Sequence, residues 1–405
     1  MKPPSVRHQV VDVPAIAGGR PVRESMLPFV RVIVDAQAEA AVTAVLRSGW
    51  ISQGPVTERF EAAMAAYIGA PHAVAVSSCT AALHLLLRAA GVGPGDDVIV
   101  PAMTFPATAN AVLHAGARPV LADVDRCTLA LTPQTVAAAM TEHTRAVIAV
   151  HFAGEPCDVG SLAQAAGSRP LTMLEDAAHA IGASLDGAAA GCLGDGAAFS
   201  FYATKNLTTG DGGMAATRHE DWAARMRVER LHGIDVDASR RAGASYTHWE
   251  AITLGFKYNM TDIEAALGLA QVAHIDAAIE RRRVLERRYR DALAGCDAVE
   301  LLAGREGARG SAHLFVIRIV PRALRIDRDG VLKAMLAENI GVGVHFRALP
   351  AHRFFRAQGL LAEQAPVAME SSERVLSLPL DAALTEQEQD DVIAALLRIL
   401  GYYRA

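Results

Sequence analysis

The sequence contains very little lysine. Only four of its 39 basic residues are lysines, namely Lys2, Lys205, Lys257 and Lys333, and the rest are arginines. Lys205 lies between an apolar run and a glycine-rich turn. Arginine stays protonated, whereas a desolvated lysine can lose its proton and form a Schiff base with a carbonyl compound. Lys205 is therefore a candidate for a position that requires an amine, and a solvated lysine of a surface loop is the common alternative.

Cysteine is scarce and irregularly spaced. The five cysteines are odd in number and form no C-x-x-C pair, so neither a disulfide framework nor a zinc site of ordinary spacing is expected. This usage fits the reducing cytosol. The cysteines are Cys79, Cys127, Cys157, Cys192 and Cys296.

Long apolar runs and an excess of positive charge are also missing. No stretch is long and uninterrupted enough to span a bilayer, and residues 1–8 lack the apolar run of a signal peptide. A net charge of −5 gives no support for nucleic-acid binding. A chain of 405 residues with 51% hydrophobic and 20% charged residues fits an ordered globular protein. We expect a cytoplasmic protein that binds neither membranes nor nucleic acid.

Short apolar strands alternate with helical segments from about residue 73 to residue 174. Repeated β–α units of this kind predict a mainly parallel, doubly wound sheet. In such sheets ligands bind beyond the carboxyl ends of the strands, so the residues that follow each strand are the first to examine for a site.

The remaining chain divides into an arm and a second domain. Residues 1–27 are expected to form an arm without packed contacts. A capping box at Thr261 starts a helical pattern that extends to about Leu293. A smaller α+β block follows, and its expected strands include 342–346. The predicted domains are an arm (1–27), a large α/β domain (28–260), and a connecting helix with a small C-terminal α+β domain (261–405).

Three predicted strand ends carry groups suited to a site. Residues 77–80 (SSCT) open directly onto a helix, whose free N–H groups could hold a phosphate or could simply be capped by serine. Asp176 follows the strand at 171–174 as either a site carboxylate or a helix cap. Phe105 follows the strand at 98–100 as either a core residue or a stacking platform.

Together these groups match the needs of a site for pyridoxal 5'-phosphate (PLP). Such a site requires an amine, a phosphate cradle, an aromatic plane, and a carboxylate that keeps the pyridine nitrogen protonated. All four fall at strand ends of one predicted sheet or in the loops beyond them. PLP is therefore the leading cofactor hypothesis, and no metal site is expected. His179, considered alone, is interpreted as a core histidine.

Six short segments carry the most specific patterns of the chain. They are GWISQGP (49–55), SCTAAL (78–83), PAMTF (101–105), EDAAHA (175–180), SFYATKN (200–206) and GFKYNMTD (255–262). These motifs resemble those of the nucleotide-sugar aminotransferases of the DegT/StrS type, which are fold-type I PLP enzymes. The resemblance runs from about Pro28 to the C-terminus.

The resemblance implies roles for the groups around the cofactor ring. Lys205 would be the Schiff-base lysine and the acid–base group that moves the proton between substrate carbon and cofactor. Asp176 would pair with the pyridine nitrogen, and Phe105 would stack on the ring. His179 would lie near the ring oxygen.

The resemblance also implies the phosphate contacts and a second subunit. Cys79 and Thr80 would bind the phosphate, largely through backbone N–H groups, and Ser200 would add its hydroxyl. Asn259 would reach the phosphate of the cofactor in the partner subunit, which implies a homodimer with shared active sites.

Two segments depart from the commoner family pattern. Many relatives read Gly-Tyr-Asn-Tyr-Arg-Met where this chain has residues 255–260 (GFKYNM), and the version with Lys257 and Asn259 resembles the branch that aminates a 4-keto sugar. The segment 344–352 keeps Val-His-Phe, which makes His345 a candidate for substrate contact, but its second half differs from the commoner pattern.

The reaction implied by the resemblance is a ping-pong transamination. L-Glutamate would give its amino group to PLP, and the resulting pyridoxamine phosphate (PMP) would aminate a keto sugar linked to a nucleoside diphosphate. Alternatives within the family are a keto-cyclitol aminotransferase and an aminoshikimate-type dehydratase. The related sugar dehydratases have histidine in place of the lysine, so Lys205 counts against them. A non-catalytic PLP-binding regulator is a further alternative, but no basic or helix-turn-helix segment supports it.

Overall fold

A computed structural model describes residues 13–165, 167, 169–235 and 248–405 of the chain. Two helices come first, α1 (Ala36–Ser48) and α2 (Pro55–Ile68). The Asp35 carboxylate caps the first turn of α1, and Gly49 ends this helix in the left-handed conformation that glycine adopts without steric cost.

The strands of the next part of the chain are short and mostly buried. They are β1 (His72–Val76), β2 (Asp97–Pro101), β3 (Arg118–Ala122), β4 (Thr144–Val150), β5 (Thr172–Asp176), β6 (Ser184–Leu185), β7 (Ala188–Ala189), β8 (Gly196–Ser200) and β9 (Gly213–Thr217). All except β6 and β7 form one sheet in the order β1-β9-β8-β5-β4-β2-β3.

This sheet is parallel except at one strand. Only β9 runs against its neighbours, β1 and β8. The carboxyl ends of β1, β2, β5 and β8 therefore meet at one edge of the sheet, and β9 begins at that edge. The prediction of a mainly parallel α/β sheet is confirmed.

Helices cover both faces of the sheet. They are α3 (Cys79–Ala89), α4 (Pro106–His114), α5 (Pro133–Ala139), α6 (Val159–Gln164) and α7 (Glu220–Glu229). Side chains alternate along β5, so Leu174 packs in the core that contains residues of α3 and α4, while Met173 packs with residues of α5 and α6.

Two helices follow the sheet, α8 (Asp262–Val272) and α9 (Ile275–Leu293). The predicted capping box at Thr261 is present, because its hydroxyl accepts from the Glu264 N–H while the Glu264 carboxylate accepts from the Thr261 N–H. The helical stretch ends at Leu293 as expected, but it is broken before α9 by His274, whose ψ of 1° is not helical.

The C-terminal part has its own antiparallel sheet and core. The sheet joins β10 (Val299–Leu301), β12 (Phe315–Ile319) and β13 (Val375–Leu378), while β11 (Ala308–Arg309) pairs with β6. The helices are α10 (Arg328–Ala337), α11 (Arg353–Ala357), α12 (Pro366–Ser372) and α13 (Glu386–Tyr402). Across the described residues, no helix has the length and apolarity that crossing a bilayer requires.

The predicted strand at 342–346 is wrong. This segment is irregular and makes only one reciprocal pair of backbone hydrogen bonds, between Gly343 and Ser377. Its apolar alternation has another cause: Val344 and Phe346 both pack on the core around α3 and α4. The alternation of apolar residues in this segment therefore reflects which side chains are buried, and no neighbouring strand of the described chain pairs along it.

The expectation that the arm lacks packed contacts is wrong for residues 13–27, whereas residues 1–12 lie outside the described residues. The buried Glu338 carboxylate accepts hydrogen bonds of 2.8 Å from the backbone N–H groups of Ala15 and Val22. Leu27 is 1% exposed in the C-terminal core. The domain boundary at residue 260 stays a prediction.

Candidate active site

Lys205 lies in the loop after β8, at the edge where the parallel strands end. Its backbone N–H donates to the carbonyl of Tyr202 (2.9 Å), which fixes the turn. Burial lowers the pKa of Lys205 to about 8, against the opposing effects of Cys79 and Asp176. Lys205 is one of the residues that line a cavity of about 170 Å³, and none of the other predicted site residues lines it. Lys205 thus holds an amine that can lose its proton near neutral pH and act as a nucleophile.

Asp176 ends β5 and is 6% exposed. Its Oδ2 accepts a hydrogen bond from Thr108 Oγ1 (2.7 Å), and its Oδ1 accepts one from the Ala178 N–H (3.2 Å). A carboxylate offers about four acceptor positions, so Asp176 keeps acceptor capacity for a further donor. Asp176 is thus a buried carboxylate at the sheet edge, and its contact with a pyridine nitrogen stays a prediction.

The start of α3 offers free backbone donors. Ser78 caps the helix, with its Oγ accepting from the Ala81 N–H at 3.1 Å. Within the described part of the chain, no acceptor takes the N–H groups of Cys79 and Thr80. Two unfilled N–H groups at the positive end of a helix can bind a phosphate. Capping by Ser78 and phosphate binding are therefore compatible.

Gly213 joins three elements at this point. It pairs with Val76 of β1 and with Ser200 of β8. A Cβ on Gly213 would lie 2.4 Å from the backbone nitrogen of Cys79, so only glycine allows β9 to begin against α3. The structure thus brings Cys79, Thr80 and Ser200 together, and their contact with a phosphate stays a prediction.

The side chain of Cys79 turns away from the helix start. Its Sγ lies 3.8 Å from Asp176 Oδ1 and 3.5 Å from the carbonyl oxygen of Ala198. Burial and the nearby Asp176 carboxylate hold the pKa of the Cys79 thiol well above its usual value. Cys79 therefore remains a thiol. Its side chain contacts Asp176, while its backbone N–H stays free of any acceptor from the described residues at the start of α3.

Phe105 is exposed, although it lies among buried neighbours. It connects β2 to α4 and is 58% exposed, whereas Thr104 is 1% exposed. Its ring centroid lies 5.9 Å from that of Phe346. This exposure rules out the core alternative and leaves a ring face that a planar ligand can cover.

His179 is buried beside other histidines. Its ring centroid lies 4.4 Å from that of His313 and 5.7 Å from that of Phe346. Burial, together with Lys205 and His345, holds the pKa of His179 well below its usual value. The buried Nδ1 has no partner among the described residues, which marks it as a donor or acceptor for a bound group.

His345 lies beside Phe346, whose ring neighbours those of Phe105 and His179. Its Nδ1 is 2.9 Å from Ser377 Oγ, and its ring stacks on Phe29 at 5.5 Å. Burial, and to a smaller extent Lys205, lowers the pKa of His345 to about 4. His345 is therefore neutral at physiological pH, and its contact with a substrate stays a prediction.

Asn259 lies beside the end of β1 through a bridge with Val76. Its Oδ1 accepts a hydrogen bond from Lys257 Nζ (2.7 Å), so the two residues of the unusual GFKYNM segment hold each other. The reach of Asn259 into a partner subunit stays a prediction.

These groups fit PLP. Two N–H groups at the start of α3 are open to a phosphate, and Asp176 keeps acceptor capacity for a pyridinium N–H. Phe105 exposes its ring, and His179 Nδ1 lacks a partner within the described ranges. The amine of Lys205 completes the set.

Comparison with known proteins gives the family. The model of the DegT/DnrJ/EryC1/StrS aminotransferase family matches residues 33–397. The chain belongs to this family.

Relatives with known structures or functions agree with the match. The chain is 40% identical to the spore coat polysaccharide biosynthesis protein SpsC of Bacillus subtilis. The match covers 93% of this chain and 98% of SpsC. The chain superposes with a TM-score of 0.87 and 32% identity on the putative sugar aminotransferase Spr1654 of Streptococcus pneumoniae in its PMP form, over 93% of this chain and 99% of that one. A structure of DesI with its TDP-sugar product matches with a TM-score of 0.82 and 33% identity, over 94% of each chain.

The predicted class, fold and cofactor are thereby confirmed. The protein is a sugar aminotransferase of fold type I that uses PLP and PMP. Because the similarity covers nearly the whole chain, both the sheet and the C-terminal part belong to this fold.

The structure adds a pair that the sequence interpretation missed. Asn206, the residue after Lys205, donates from Nδ2 to the Ser311 carbonyl (2.9 Å), which fixes its Oδ1 as the acceptor toward His313 Nδ1 (3.1 Å). His313 therefore carries its proton on Nδ1. Burial and nearby His179 and Lys205 hold the pKa of His313 well below its usual value. The pair ties the Lys205 loop to the C-terminal part, a contact that no local sequence pattern reveals.

A second missed group lies on the opposite face of β5. The Glu175 carboxylate accepts from the backbone N–H groups of Gly191 (2.7 Å), Leu193 (2.9 Å) and Gly194 (2.8 Å). Its Oε2 also lies 2.8 Å from His151 Nε2, and both side chains are fully buried. The adjacent acidic residues Glu-Asp were a signal for two carboxylates facing opposite sides of one strand.

Proposed function

We propose that this aminotransferase transfers an amino group from L-glutamate to a keto sugar linked to a nucleoside diphosphate, and that the sugar carries its carbonyl at C4. The observation that carries the proposal is the site itself. Lys205 has an amine of lowered pKa in the loop after β8, and the Asp176 carboxylate and the open start of α3 lie at the same sheet edge.

Two findings support the sugar part of the proposal. The DesI structure that matches this chain over 94% of its length contains a TDP-sugar product. The segment with Lys257 and Asn259, which resembles the 4-keto branch, is ordered by their 2.7 Å hydrogen bond. A keto-cyclitol substrate and a non-catalytic role are outcomes that the experiment below distinguishes.

When bound, PLP takes the amino group from a donor and passes it to a carbonyl carbon, with its ring accepting the electrons. In this proposal Lys205 Nζ removes the proton from the carbon of the amino donor and returns a proton to the sugar carbon. Its lowered pKa suits this exchange, because both protonation states are populated near pH 8.

The other residues of the site bind and orient. Asp176 accepts the N–H of the pyridine ring and keeps it charged, while Phe105 covers the ring face. The N–H groups of Cys79 and Thr80, with the Ser200 hydroxyl, hold the phosphate.

Two neutral histidines serve the remaining polar groups in this proposal. The Nδ1 of His179, which has no partner among the described residues, would bind the ring oxygen of the cofactor. His345, whose Nδ1 is engaged by Ser377, keeps Nε2 for the sugar.

We further propose a homodimer in which Asn259 contacts the phosphate of the partner's cofactor. Large apolar side chains are exposed beside the Lys205 cavity and near the Asn259 segment, and a second subunit would cover them. They are Val32, Ile33, Val34, Tyr202, Trp249, Ile252 and Leu254. The five free cysteines support a cytoplasmic location, since the reducing cytosol preserves thiols.

The function is tested with the purified, PLP-loaded protein. Incubation with L-glutamate and a TDP-linked 4-keto sugar should release 2-oxoglutarate and an amino sugar in equal amounts, both detected by mass spectrometry. The 3-keto isomer should react at least about tenfold more slowly, a difference of about 1.4 kcal/mol. Lys205→Met, which cannot transfer the proton, is the negative control.

Each negative result has a defined meaning. Faster conversion of the 3-keto isomer would overturn the C4 assignment, and conversion of a keto-cyclitol but neither sugar would overturn the sugar nucleotide. Retention of PLP without amino transfer from any donor would favour the regulator.

A further inference from the structure

Two buried threonines are linked to Asp176 by hydrogen bonds and have no part in the function proposed above. Thr108, in the first turn of α4, donates from Oγ1 to Asp176 Oδ2 at 2.7 Å. Thr104 lies just before the helix, with its Oγ1 2.8 Å from Thr108 Oγ1. Both are nearly inaccessible, at 1% and 0% exposure for Thr104 and Thr108. We propose that Thr108 is a positioning residue that holds the Asp176 carboxylate turned toward the pyridine nitrogen of PLP.

The direction of the hydrogen bonds follows from the charge of Asp176. An ionised carboxylate only accepts, so Thr108 must donate its single hydroxyl proton to Asp176. The bond between the two hydroxyls then has one possible direction, from Thr104 to Thr108. The relay Thr104→Thr108→Asp176 therefore has one direction and ends on the carboxylate that is proposed to keep the pyridine nitrogen protonated.

Thr108 supplies a donor without supplying a charge. In the described part of the chain Asp176 forms no ion pair within 4.0 Å, and its contacts are a hydroxyl, a backbone N–H and a weak thiol contact. An arginine at this place would neutralise the carboxylate and compete with the pyridinium. Neutral donors stabilise the ionised form and leave its charge for the cofactor.

Thr108 also sets the orientation of the carboxylate. The terminal torsion of an aspartate is soft, so its plane must be fixed from outside. Thr108 is β-branched and therefore stiff at χ1, and its hydroxyl holds Oδ2 while the Ala178 N–H holds Oδ1. Two fixed donors on two oxygens define the plane in which the remaining acceptor sites lie.

The inference rests on the proposed role of Asp176, and its test uses cofactor binding and spectra as well as activity. Thr108→Val keeps the side-chain shape and removes the donor, whereas Thr108→Ser keeps the donor. Dilution of each PLP-loaded protein, followed through its visible absorbance, gives the Kd for PLP. We expect Thr108→Val to raise the Kd about tenfold and Thr108→Ser to stay within about twofold of the unmodified protein.

A pH titration of the visible band provides the readout that a packing role would not change. With Asp176 held less firmly against the ring nitrogen, the ring loses positive charge, so the nitrogen that joins Lys205 to the cofactor binds its proton more tightly. The pH midpoint of the band should therefore rise in Thr108→Val and return in Thr108→Ser.

Thr141→Val is the matched control. The Thr141 hydroxyl also donates to a carboxylate, Asp97 Oδ2 at 2.5 Å, but at the start of β2 on the opposite edge of the sheet. Its Kd for PLP and its pH midpoint should equal those of the unmodified protein.

Several results would overturn the inference. These are an unchanged Kd and midpoint in Thr108→Val, an equal loss in Thr108→Ser, or an equal loss in Thr141→Val. If Thr108→Val does not fold, Thr104→Val removes the donor to Thr108 without touching Asp176. It should raise the Kd two- to fivefold, at the order of magnitude of one buried hydrogen bond, and move the midpoint in the same direction. An unchanged midpoint there also overturns the inference.

Asp176→Asn separates the two levels of the proposal. If this variant leaves the Kd and the midpoint unchanged, the proposed role of Asp176 itself fails. If it changes both while Thr108→Val changes neither, only the role of Thr108 fails.

Discussion

Glu175 and Asp176 are neighbouring carboxylates at the end of β5 that face opposite sides of the sheet. Glu175 is fully buried and receives hydrogen bonds from three backbone N–H groups and His151. Asp176 receives one hydroxyl and one backbone N–H, with a thiol nearby. The hydrogen-bonding capacity of Glu175 is therefore filled by donors of the protein, whereas Asp176 keeps open acceptor positions.

The difference shows how one strand end serves structure and chemistry together. His151 Nδ1 accepts from the Cys157 N–H at 2.9 Å, so His151 carries its proton on Nε2 and donates it to Glu175. All four donors of Glu175 are thus fixed, and this carboxylate holds the turn at residues 191–194 against β5. Asp176 keeps open acceptor positions and lies at the sheet edge that carries Lys205.

The largest expected effect is on the Asp176 side. Asp176→Asn keeps the size of the side chain but removes its charge, so the pyridine nitrogen of PLP is no longer held protonated. We expect kcat/KM for transamination to fall about 10³-fold, close to 4 kcal/mol of transition-state stabilisation. Steady-state assays with L-glutamate and the sugar substrate measure this loss.

The comparison also requires that Asp176→Asn remain stable. Its free energy of unfolding, measured by urea titration after removal of PLP, should stay within about 1 kcal/mol of the unmodified protein. Strong destabilisation with little loss of activity per folded molecule would contradict the division of roles between the two faces.

The second effect concerns Glu175. Glu175→Gln leaves one oxygen for four donors and turns an NH₂ group toward at least one N–H, so buried donors lose their partner. We expect the free energy of unfolding to fall by about 3 kcal/mol. Activity per folded molecule should change less than about threefold. A stable variant with lost activity would show that Glu175 acts in the chemistry.

The third and smallest effect tests the electrostatics on the Asp176 side. Because burial depresses the pKa of Lys205 to about 8, the unfolded chain binds more protons than the folded one between pH 8 and the ordinary value near 10.5. The burial cost of this group is thus fully present below pH 8 and decreases as the pH rises toward 10.5. Without PLP, Lys205→Met should be more stable than the unmodified protein by about 2 kcal/mol at pH 7, less than the roughly 3 kcal/mol that the full pKa shift corresponds to, because Lys205 is only half-buried.

Urea titrations at pH 7 and pH 10 check this expectation, since the advantage of Lys205→Met should shrink at the higher pH. Lys333→Met, which replaces an exposed lysine of α10, serves as the control and should show no such trend. A difference that does not depend on pH would mean that Lys205 is not desolvated in the folded protein.

Much of the fold and the site could be predicted from local patterns. The alternation of short apolar runs and helices predicted the parallel sheet, and the residues after its strands pointed to Asp176 and Phe105. The scarcity of lysine pointed to Lys205. The capping box at Thr261 was predicted because its two partners lie three residues apart. The strand at 342–346 was wrong because apolar alternation reports which side chains are buried and says nothing about hydrogen-bonding partners.

The residues that the sequence interpretation missed have partners far away in the chain. Thr108 contacts Asp176 across 68 positions, and Asn206 contacts His313 across 107. No periodicity or spacing records such pairs, because they arise only when separate strand ends and loops meet.

The sequence by itself determined the sheet, the lysine, the carboxylate and the family, since these depend on local hydrophobic patterns and short motifs. Only the tertiary structure decided that donors fill the hydrogen-bonding capacity of Glu175 and leave acceptor positions of Asp176 open. It also decided that the Cys79 side chain contacts Asp176, and that two threonines are linked to Asp176 by hydrogen bonds. The physical reason is that local patterns fix which side of a strand a residue faces, whereas the donors that meet it there come from distant parts of the chain.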